Sequence, residues 1–249
     1  MPSSPDAIVL CGGAGLRLRP ITGGAPKGMA AVAGRPFLDL LFRQLIRHGF
    51  ERAILAVGYQ ADAIRSHFGE RAAGLELAYS LESSPLGTGG ALRNALTMVH
   101  SDLVLVMNGD SYTDAELSRL VAFHRELNAD ACVVLAPADG RGDCGSVLLD
   151  SNGNVSSFVE KRGLSGPAHL NAGIYTLSRQ LLDEIPAGIQ ISLEQQLLPG
   201  WLQQGKRVKG FVSSSMCVDI GTPDRYQSAQ GILANAELQA SDLHHESQL

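Results

Sequence analysis

The chain of 249 residues has a formal net charge of −5 and an apolar content of 45%. The acidic balance argues against general nucleic-acid binding, which requires a basic face. No run approaches the ~18 consecutive apolar residues of a membrane span, and the N-terminal MPSSPD lacks the basic and apolar parts of a signal peptide. Since the four cysteines form no CxxC pair, we expect reduced thiols in a cytoplasmic protein without membrane contact.

The first predicted element is a buried strand at Ala7–Leu10, which runs into the glycine-rich stretch Cys11–Lys27 (CGGAGLRLRPITGGAPK). Its glycines let backbone N–H groups approach an anion closely, and Arg17 and Lys27 add positive charge. Two prolines exclude a continuous helix, so we expect an irregular loop as far as Pro36. The stretch therefore predicts a phosphate-binding loop, with a solvated glycine-rich turn as the alternative.

This loop matches neither of two familiar nucleotide fingerprints. The dinucleotide pattern needs a third glycine where Leu18 stands, and the P-loop pattern needs Gly-Lys-Ser/Thr, whereas Lys27 lies between Pro26 and Gly28. Hydride transfer and kinase-type chemistry are therefore not indicated.

Beyond the loop, the apolar periodicity predicts helices alternating with strands, which implies parallel strands joined by right-handed crossovers. The expected fold class is α/β, with a doubly wound sheet. The predicted elements are a helix at Phe37–Ile46, a strand at Ala53–Val57, a helix at Ala61–Phe68, a strand at Leu75–Ser80, a helix at Gly90–Val99, a strand at Leu103–Met107, a helix beginning at Asp114 with a Thr113/Glu116 capping box, and a strand at Ala131–Ala136.

After Asp139 the pattern changes to shorter strands separated by turns. We expect strands at Ser146–Leu149, Val155–Glu160 and Leu170–Leu177, a helix from Ser192 to about Gln204, two short strands between Arg207 and Ile220, and a last helix from Thr222-Pro223 to about Ala240. Residues 1–240 are expected to form one domain, and residues 241–249 a frayed tail.

Two aspartates follow apolar strands, where a doubly wound sheet binds its ligands. Asp110 comes after Leu103–Met107 and behind Gly109, and Asp219 ends the apolar run that precedes Gly221. Carboxylate oxygens at such positions suit Mg²⁺, which uses one or two carboxylates together with waters and substrate phosphates. A turn or helix-capping role is the alternative for each aspartate alone.

The motifs GGxGxRLxP, PK and GxP (Gly34–Pro36) resemble the opening of the sugar-1-phosphate nucleotidylyltransferases, which make nucleotide sugars from a nucleoside triphosphate and a sugar 1-phosphate. The resemblance continues through ILAVGY, ExxPLGTGGAL, NGDSY, NAGIY and DIGTP in that order. Leu16 departs from the threonine that much of the family carries. The family implies a doubly wound mixed sheet of the Rossmann-like nucleotidyltransferase (GT-A-like) fold, here without a C-terminal β-helix, and Mg²⁺ as the cofactor.

The same resemblance assigns the site residues and divides the domain into a nucleotide-binding part, about 1–138, and a sugar-binding part, about 139–220. Catalysis is assigned to Arg17 and Lys27, and the metal to Asp110 and Asp219. The nucleotide-binding residues are Leu10, Gly12, Gly13, Gly15, Glu82, Pro85, Gly87 and Thr88. The sugar-phosphate-binding residues are Gly109, Glu160, Lys161, Asn171 and Gly173. An exposed ion pair is the alternative for Glu160-Lys161.

Glu82 bears on the choice of base. Guanine presents two adjacent N–H donors that one carboxylate can accept, whereas uracil and thymine present one donor flanked by acceptors. Glu82 therefore favours GTP, unless it is a solvated loop residue.

The motifs are most similar to the short guanylyltransferases that join GTP to D-glycero-α-D-manno-heptose 1-phosphate for bacterial cell-surface polysaccharides. Mannose 1-phosphate is the nearest alternative, followed by a UTP- or dTTP-dependent enzyme. From other classes, a metal-dependent glycosyltransferase would need Asp-x-Asp where Asn108-Gly109-Asp110 stands, and a non-catalytic nucleotide-sugar-binding subunit would have lost the catalytic groups. The expected partners are GTP, a sugar 1-phosphate and, in a homodimer, a second copy of the chain.

Overall fold

The computed structural model describes residues 4–137, 145–159, 169–215 and 217–233. Its strands are β1 (Asp6–Leu10), β2 (Ala31–Val32), β3 (Arg35–Pro36), β4 (Arg52–Val57), β5 (Arg71–Ala72), β6 (Leu75–Leu81), β7 (Leu103–Asn108), β8 (Ser111–Thr113), β9 (Ala131–Ala136), β10 (Ser146–Leu149), β11 (Val155–Val159), β12 (His169–Ser178), β13 (Val208–Val212) and β14 (Cys217–Asp219). Its α-helices are α1 (Arg19–Thr22), α2 (Phe37–Arg47), α3 (Ala61–Phe68), α4 (Gly87–Ala95), α5 (Leu117–Glu126), α6 (Arg179–Asp183), α7 (Leu198–Gln203) and α8 (223–233). Single turns of 3₁₀-helix lie at Lys27–Met29 and Leu96–Met98, and a π-helical turn at Leu193–Leu197.

Strand β1 lies at the centre of a mixed sheet, which has ten strands within the described residues. It pairs in parallel with β4 on one side and β7 on the other, and β6 extends the parallel part next to β4. Beyond β7 the pairing becomes antiparallel, with β12 next to β7, and with β9 and β10 both pairing with β12. The doubly wound mixed sheet predicted from the sequence is confirmed.

Both faces of the sheet are covered. Ala7 and Val9 of β1 point into a core shared with α2 and α5, whereas Ile8 points into a second core shared with α4 and α7. Because successive side chains of a strand alternate between faces, a run of apolar residues is what a strand buried on both sides requires.

Parallel pairing brings the carboxyl ends of β1, β4 and β7 to one edge of the sheet. Leu10, the last residue of β1, lies opposite Ala56 of β4 and Asn108 of β7. The next residues stay in register, since the N–H of Cys11 donates to Ala56 O at 3.0 Å and the N–H of Gly109 donates to Leu10 O at 2.8 Å. The glycine-rich loop therefore leaves the sheet directly beside Gly109.

A two-stranded sheet of β8 and β14 brings a distant part of the chain to the same edge. Asp219 pairs with Ser111, and the N–H of Ile220 donates to the carbonyl oxygen of Asp110 at 3.0 Å. The two aspartates are therefore neighbours in space although 109 positions separate them in the sequence.

Three predicted boundaries are wrong. Residues 11–36 are not wholly irregular, because α1, a 3₁₀ turn and the β2–β3 hairpin lie within them. The capping box at Thr113 and Glu116 does not form, since α5 begins at Leu117 and Thr113 belongs to β8. Helix α4 begins at Gly87 instead of Gly90. No helix in the described part of the chain is long and apolar enough to cross a membrane.

The amino ends of the central strands are joined by the buried carboxylate of Asp6. Its side chain is 8% exposed and pairs with Arg52 of β4 at 3.1 Å. It also accepts the backbone N–H of His100 at 2.6 Å and of Ser101 at 3.2 Å, just before β7. One side chain thus ties β1 to both of its parallel neighbours.

We expect Asp6→Ala to lower the free energy of unfolding by about 3 kcal/mol or more, because it removes the buried carboxylate that pairs with Arg52 and leaves two part-buried N–H groups without their acceptor. The matched control is Glu76→Ala, which removes the other carboxylate on Arg52, a side chain 54% exposed, and should cost under ~1 kcal/mol. Urea unfolding followed by circular dichroism measures the free energy of unfolding of both variants. Equal losses of this free energy in Asp6→Ala and Glu76→Ala would contradict a special role for Asp6.

Candidate active site

A cleft of about 680 Å³ opens at the carboxyl edge of the sheet, within the size range of small-molecule sites. Its walls come from the glycine-rich loop, the end of β4, the segment after β6 and the end of β7. The predicted site residues that line it are Leu10, Gly12, Gly13, Gly15, Lys27, Glu82, Pro85, Gly87, Thr88, Gly109 and Asp110.

The glycine-rich loop is closely packed at two points. A Cβ at Gly12 would lie 2.8 Å from Glu82 Oε1 and 3.3 Å from the backbone nitrogen of Gly58. Gly15 has φ +55°, and a Cβ there would lie 3.0 Å from Lys27 Cβ. Side chains are therefore excluded where the loop approaches Glu82 and Lys27. In addition, the N–H of Tyr59 donates to Gly12 O at 3.1 Å, which holds the loop against the end of β4.

Five charged side chains converge beside the loop. Lys27 pairs with Asp110, and Asp219 pairs with Arg225 at 2.9 Å. From the Cβ position at Gly221, Asp219 Oδ1 is 2.8 Å away, Lys27 Nζ 3.6 Å and Arg17 Nη2 3.7 Å. Lys27 and Arg17 thus lie beside the two aspartates at the edge of the cleft.

Arg17 differs from the other four charged groups in its exposure. It is exposed to solvent, and none of the hydrogen bonds or ion pairs between described residues involves its guanidinium. A guanidinium presents several N–H donors in a planar fork suited to phosphate oxygens. Arg17 is therefore available to an incoming anion.

The donor set at Asp110 and Asp219 fits a hard divalent cation of the magnesium type. Two carboxylates arrive from adjacent strand ends, and the described residues contain no group of three or more His, Cys, Asp or Glu that could enclose a metal ion. Such a pair suits Mg²⁺, which takes its remaining oxygens from water and phosphate. Zinc would require nitrogen or sulfur ligands in larger number.

Glu82 lies half-buried in the wall of the cleft. Burial raises the pKa of Glu82 above its ordinary value, and the hydrogen bond that its Oε2 accepts from the Leu86 N–H at 3.0 Å opposes this rise. Its other oxygen faces Gly12. A carboxylate accepts several hydrogen bonds and, when ionised, donates none, so this wall of the cleft favours ligand groups that donate.

Thr88 lines the cleft, but its hydroxyl group is already engaged with the protein. It donates to Glu194 Oε2 at 2.6 Å and accepts the N–H of Leu193 at 2.8 Å. A ligand that meets Thr88 in this arrangement contacts its backbone or its methyl group.

Asn171 and Gly173 lie on β12, behind Asn108 of the cleft. The N–H of Gly173 donates to Asn171 Oδ1 at 3.1 Å, and Gly173 has φ +73° in an irregular stretch where the pairing of β12 with β9 shifts. A Cβ at Gly173 would lie 2.8 Å from Asn108 Nδ2. Glu160 and Lys161 lie outside the described residues.

Sequence reasoning missed several residues of this neighbourhood. Tyr59 comes two residues after the end of β4, so its position near a strand end is a signal that could have singled it out. Arg225 lies in the first turn of α8, behind the Thr222-Pro223 start signal, and reaches back to Asp219. Glu194 has no comparable signal, because two of its partners, Thr88 and Tyr175, are distant in the sequence.

Comparison with known proteins shows the family of the chain. The profile of a family described as "Nucleotidyl transferase" matches residues 6–236. A mannose-1-phosphate guanylyltransferase of Mycobacterium tuberculosis is 37% identical over 89% of this chain and 62% of its own length, so the chain spans less than two thirds of that protein. A D-glycero-alpha-D-manno-heptose 1-phosphate guanylyltransferase of Aneurinibacillus thermoaerophilus is 34% identical over 90% of this chain and 96% of its own length.

Solved structures show the same likeness. The crystal structure of HddC from Yersinia pseudotuberculosis complexed with GMP-PN superposes with a TM-score of 0.81, with 31% identity, 92% of this chain covered and 100% of that chain. Since the family profile spans nearly all the described residues, and a relative is 34% identical along 96% of its own length, the chain belongs to the nucleotidyl transferase family.

Proposed function

We propose that the chain forms a GDP-sugar and pyrophosphate from GTP and a sugar 1-phosphate, with D-glycero-α-D-manno-heptose 1-phosphate as the sugar substrate. The observation that carries the proposal is the convergence of Arg17, Lys27, Asp110 and Asp219 beside a glycine-rich loop, with Glu82 in the same cleft. Further support comes from the heptose 1-phosphate guanylyltransferase that matches this chain along 96% of its own length and from the GMP-PN complex of HddC.

The chemistry needs no general base. The attacking oxygen of a sugar phosphate is already an anion, so the task is to bring two polyanions together in line. The bond from this oxygen to the α-phosphorus forms as the bond from the α-phosphorus to the bridging oxygen breaks, and pyrophosphate leaves with that electron pair.

Each cation has a proposed role in this reaction. Lys27 holds the α-phosphate, Arg17 neutralises charge developing on the leaving pyrophosphate, and Lys161 holds the sugar phosphate. Asp110 and Asp219 hold Mg²⁺, which when bound supplies positive charge beside the phosphate oxygens. Until a phosphate arrives, Lys27 is neutralised by Asp110.

We also propose the division of labour within the domain. Residues 1–138 hold the nucleotide through Leu10, Gly12, Gly13, Gly15, Glu82, Pro85, Gly87 and Thr88. Residues 139–220, together with Gly109, hold the sugar phosphate through Glu160, Lys161, Asn171 and Gly173. The short distance between Gly173 and Asn108 supports a sugar site next to the cleft.

Mannose 1-phosphate is the second candidate substrate, favoured by the 37% identity to the mycobacterial mannose-1-phosphate guanylyltransferase. Pyrophosphate release measured with each nucleoside triphosphate against heptose, mannose and glucose 1-phosphates decides between them. GTP with the heptose is expected to give the highest kcat/KM. If mannose 1-phosphate gives the highest kcat/KM, mannose 1-phosphate takes the place of the heptose as the proposed substrate. If no pair of substrates releases pyrophosphate, the proposed activity is rejected.

Glu82→Gln is expected to lower kcat/KM for GTP about tenfold or more, because one of the two carboxylate oxygens that accept the adjacent donors of guanine is replaced by an amide donor. The same variant should reduce the difference in kcat/KM between GTP and UTP, since an amide can pair with a donor and an acceptor that are adjacent on uracil. Ser84→Ala, a change at a neighbouring residue that lines the cleft, serves as the control. Unchanged base preference in Glu82→Gln would contradict base recognition by Glu82.

The raised pKa of Glu82 predicts a pH dependence. As the pH falls through that pKa, Glu82 takes up a proton at a higher pH than an ordinary glutamate and stops accepting two donors. The KM for GTP is therefore expected to rise on acidification above the pH at which free glutamate titrates. Steady-state kinetics at several pH values measure this rise, and Glu82→Gln should lack it.

Asp110→Asn and Asp219→Asn are each expected to reduce Mg²⁺-dependent turnover at least about 100-fold, since each removes one carboxylate of a two-carboxylate site. The matched control is Asp114→Asn, just beyond β8, where the side chain is 66% exposed and pairs with Arg47. Turnover titrated with Mg²⁺, alongside thermal unfolding, is the measurement. Normal turnover in either site variant would remove that aspartate from the metal site.

A further inference from the structure

Glu194 is a buried carboxylate that the proposed reaction does not use. It lies in the π-helical turn Leu193–Leu197 and is 9% exposed. Its oxygens accept from Thr88 Oγ1 at 2.6 Å, Ser192 Oγ at 3.1 Å and the Tyr175 hydroxyl at 3.4 Å. No ion pair between described residues involves it. Since a buried charge is costly without partners, these hydroxyl groups are what keep the carboxylate inside.

One end of this network holds the start of α4, on the nucleotide side of the cleft. Thr88 donates to Glu194 and accepts the N–H of Leu193. The carbonyl oxygen of Ile191 accepts the N–H groups of Gly89 and Gly90 at 2.9 and 3.2 Å. The segment 191–194 and the first turn of α4 are therefore held together by hydrogen bonds. In the sequence, this first turn comes shortly after Glu82 and Pro85.

The other end holds the irregular stretch of β12. Tyr175 is fully buried, and its hydroxyl group accepts Asn171 Nδ2 at 2.7 Å. Asn171 in turn accepts the N–H of Gly173. Glu194 is thus two hydrogen bonds away from Asn171, on the side proposed for the sugar.

The direction of each hydrogen bond in this network follows from the charge of Glu194. An ionised carboxylate only accepts, so Thr88 and Tyr175 must both donate toward it. Their lone pairs are then left to accept from Leu193 and Asn171, which is the observed arrangement. A glutamine has an amide group that donates, and it would reverse one of these bonds.

We propose that Glu194 is a positioning residue that fixes the nucleotide-side turn at Thr88 relative to the sugar-side stretch at Asn171–Tyr175. This inference rests on the proposed function. Phosphoryl transfer in line requires both substrates in fixed geometry, and a displacement of ~1 Å can cost about 100-fold in rate. One acceptor-only group shared by both sides supplies that fixed geometry.

The test combines Glu194→Gln, Thr88→Val and Tyr175→Phe, with Thr88→Ser as the conservative variant. Glu194→Gln is expected to lower kcat about tenfold or more with each KM changed less than about threefold, since both substrates still bind but meet out of line. Thr88→Ser should retain the activity that Thr88→Val loses. Thr97→Val in the turn after α4 and Glu184→Gln, an exposed glutamate paired with Lys206, are matched controls expected to leave kcat unchanged.

Non-additivity separates positioning from a merely structural role. Because Thr88 and Tyr175 act through one carboxylate, the double variant Thr88→Val/Tyr175→Phe should lose about as much kcat as the worse of its two single variants. When either change is added to Glu194→Gln, kcat should fall by less than a further factor of about two. Losses in kcat that multiply, or a Glu194→Gln enzyme with kcat within threefold of the wild type, would overturn the proposal.

Hydrogen exchange keeps this test separate from that of the activity itself. Glu194→Gln is expected to speed amide exchange both at residues 88–90 and at residues 171–175, because it loosens both ends at once. If the wild-type chain releases no pyrophosphate with any substrate pair, the proposed function fails, while exchange still reports whether Glu194 joins the two segments. Faster exchange at one end only would count against the link.

Discussion

The pairing of β1 with β4 and β7 is the constraint on which the rest of the structure depends. Parallel pairing aligns the three strand ends, so that whatever follows each strand must share one edge of the sheet. The loop after β1, Gly58 and Tyr59 after β4, and Gly109-Asp110 after β7 meet there for that reason. The antiparallel pair β8–β14 then adds Asp219 to an edge that already exists.

The charges at this edge form two pairs of opposite sign. Lys27 pairs with Asp110 and Arg225 pairs with Asp219, so the pairs are close to neutral before any phosphate binds. Arg17 remains exposed beside them.

The parts of the fold and site that follow strands could be predicted from the sequence. Runs of apolar residues identify the strands, and glycines or carboxylates at their ends identify the edge, as with Gly12 and Asp110. Contacts between distant segments could not be predicted. Thr113 has the spacing of a helix cap, but its pairing with Cys217 in the β8–β14 sheet prevails. The glycines of GTGG indicate a ligand, yet Gly89 and Gly90 pack against Ile189–Leu197, where a Cβ at Gly89 would lie 2.5 Å from Leu197 Cδ1.

Glu82 has a consequence for the folding of the chain. Burial raises its pKa in the folded state, so the folded chain binds a proton at this residue more readily than the unfolded chain does. Its contribution therefore favours folding as the pH falls through the raised pKa, and opposes folding near neutrality, where the carboxylate is ionised. The chain thus gives up some stability at neutral pH for an acceptor in its cleft, while Asp6 stabilises the opposite end of the same sheet. If the proposed function holds, stability and substrate recognition lie at opposite ends of the central strands, and a more stable variant can be sought at one end without altering the other.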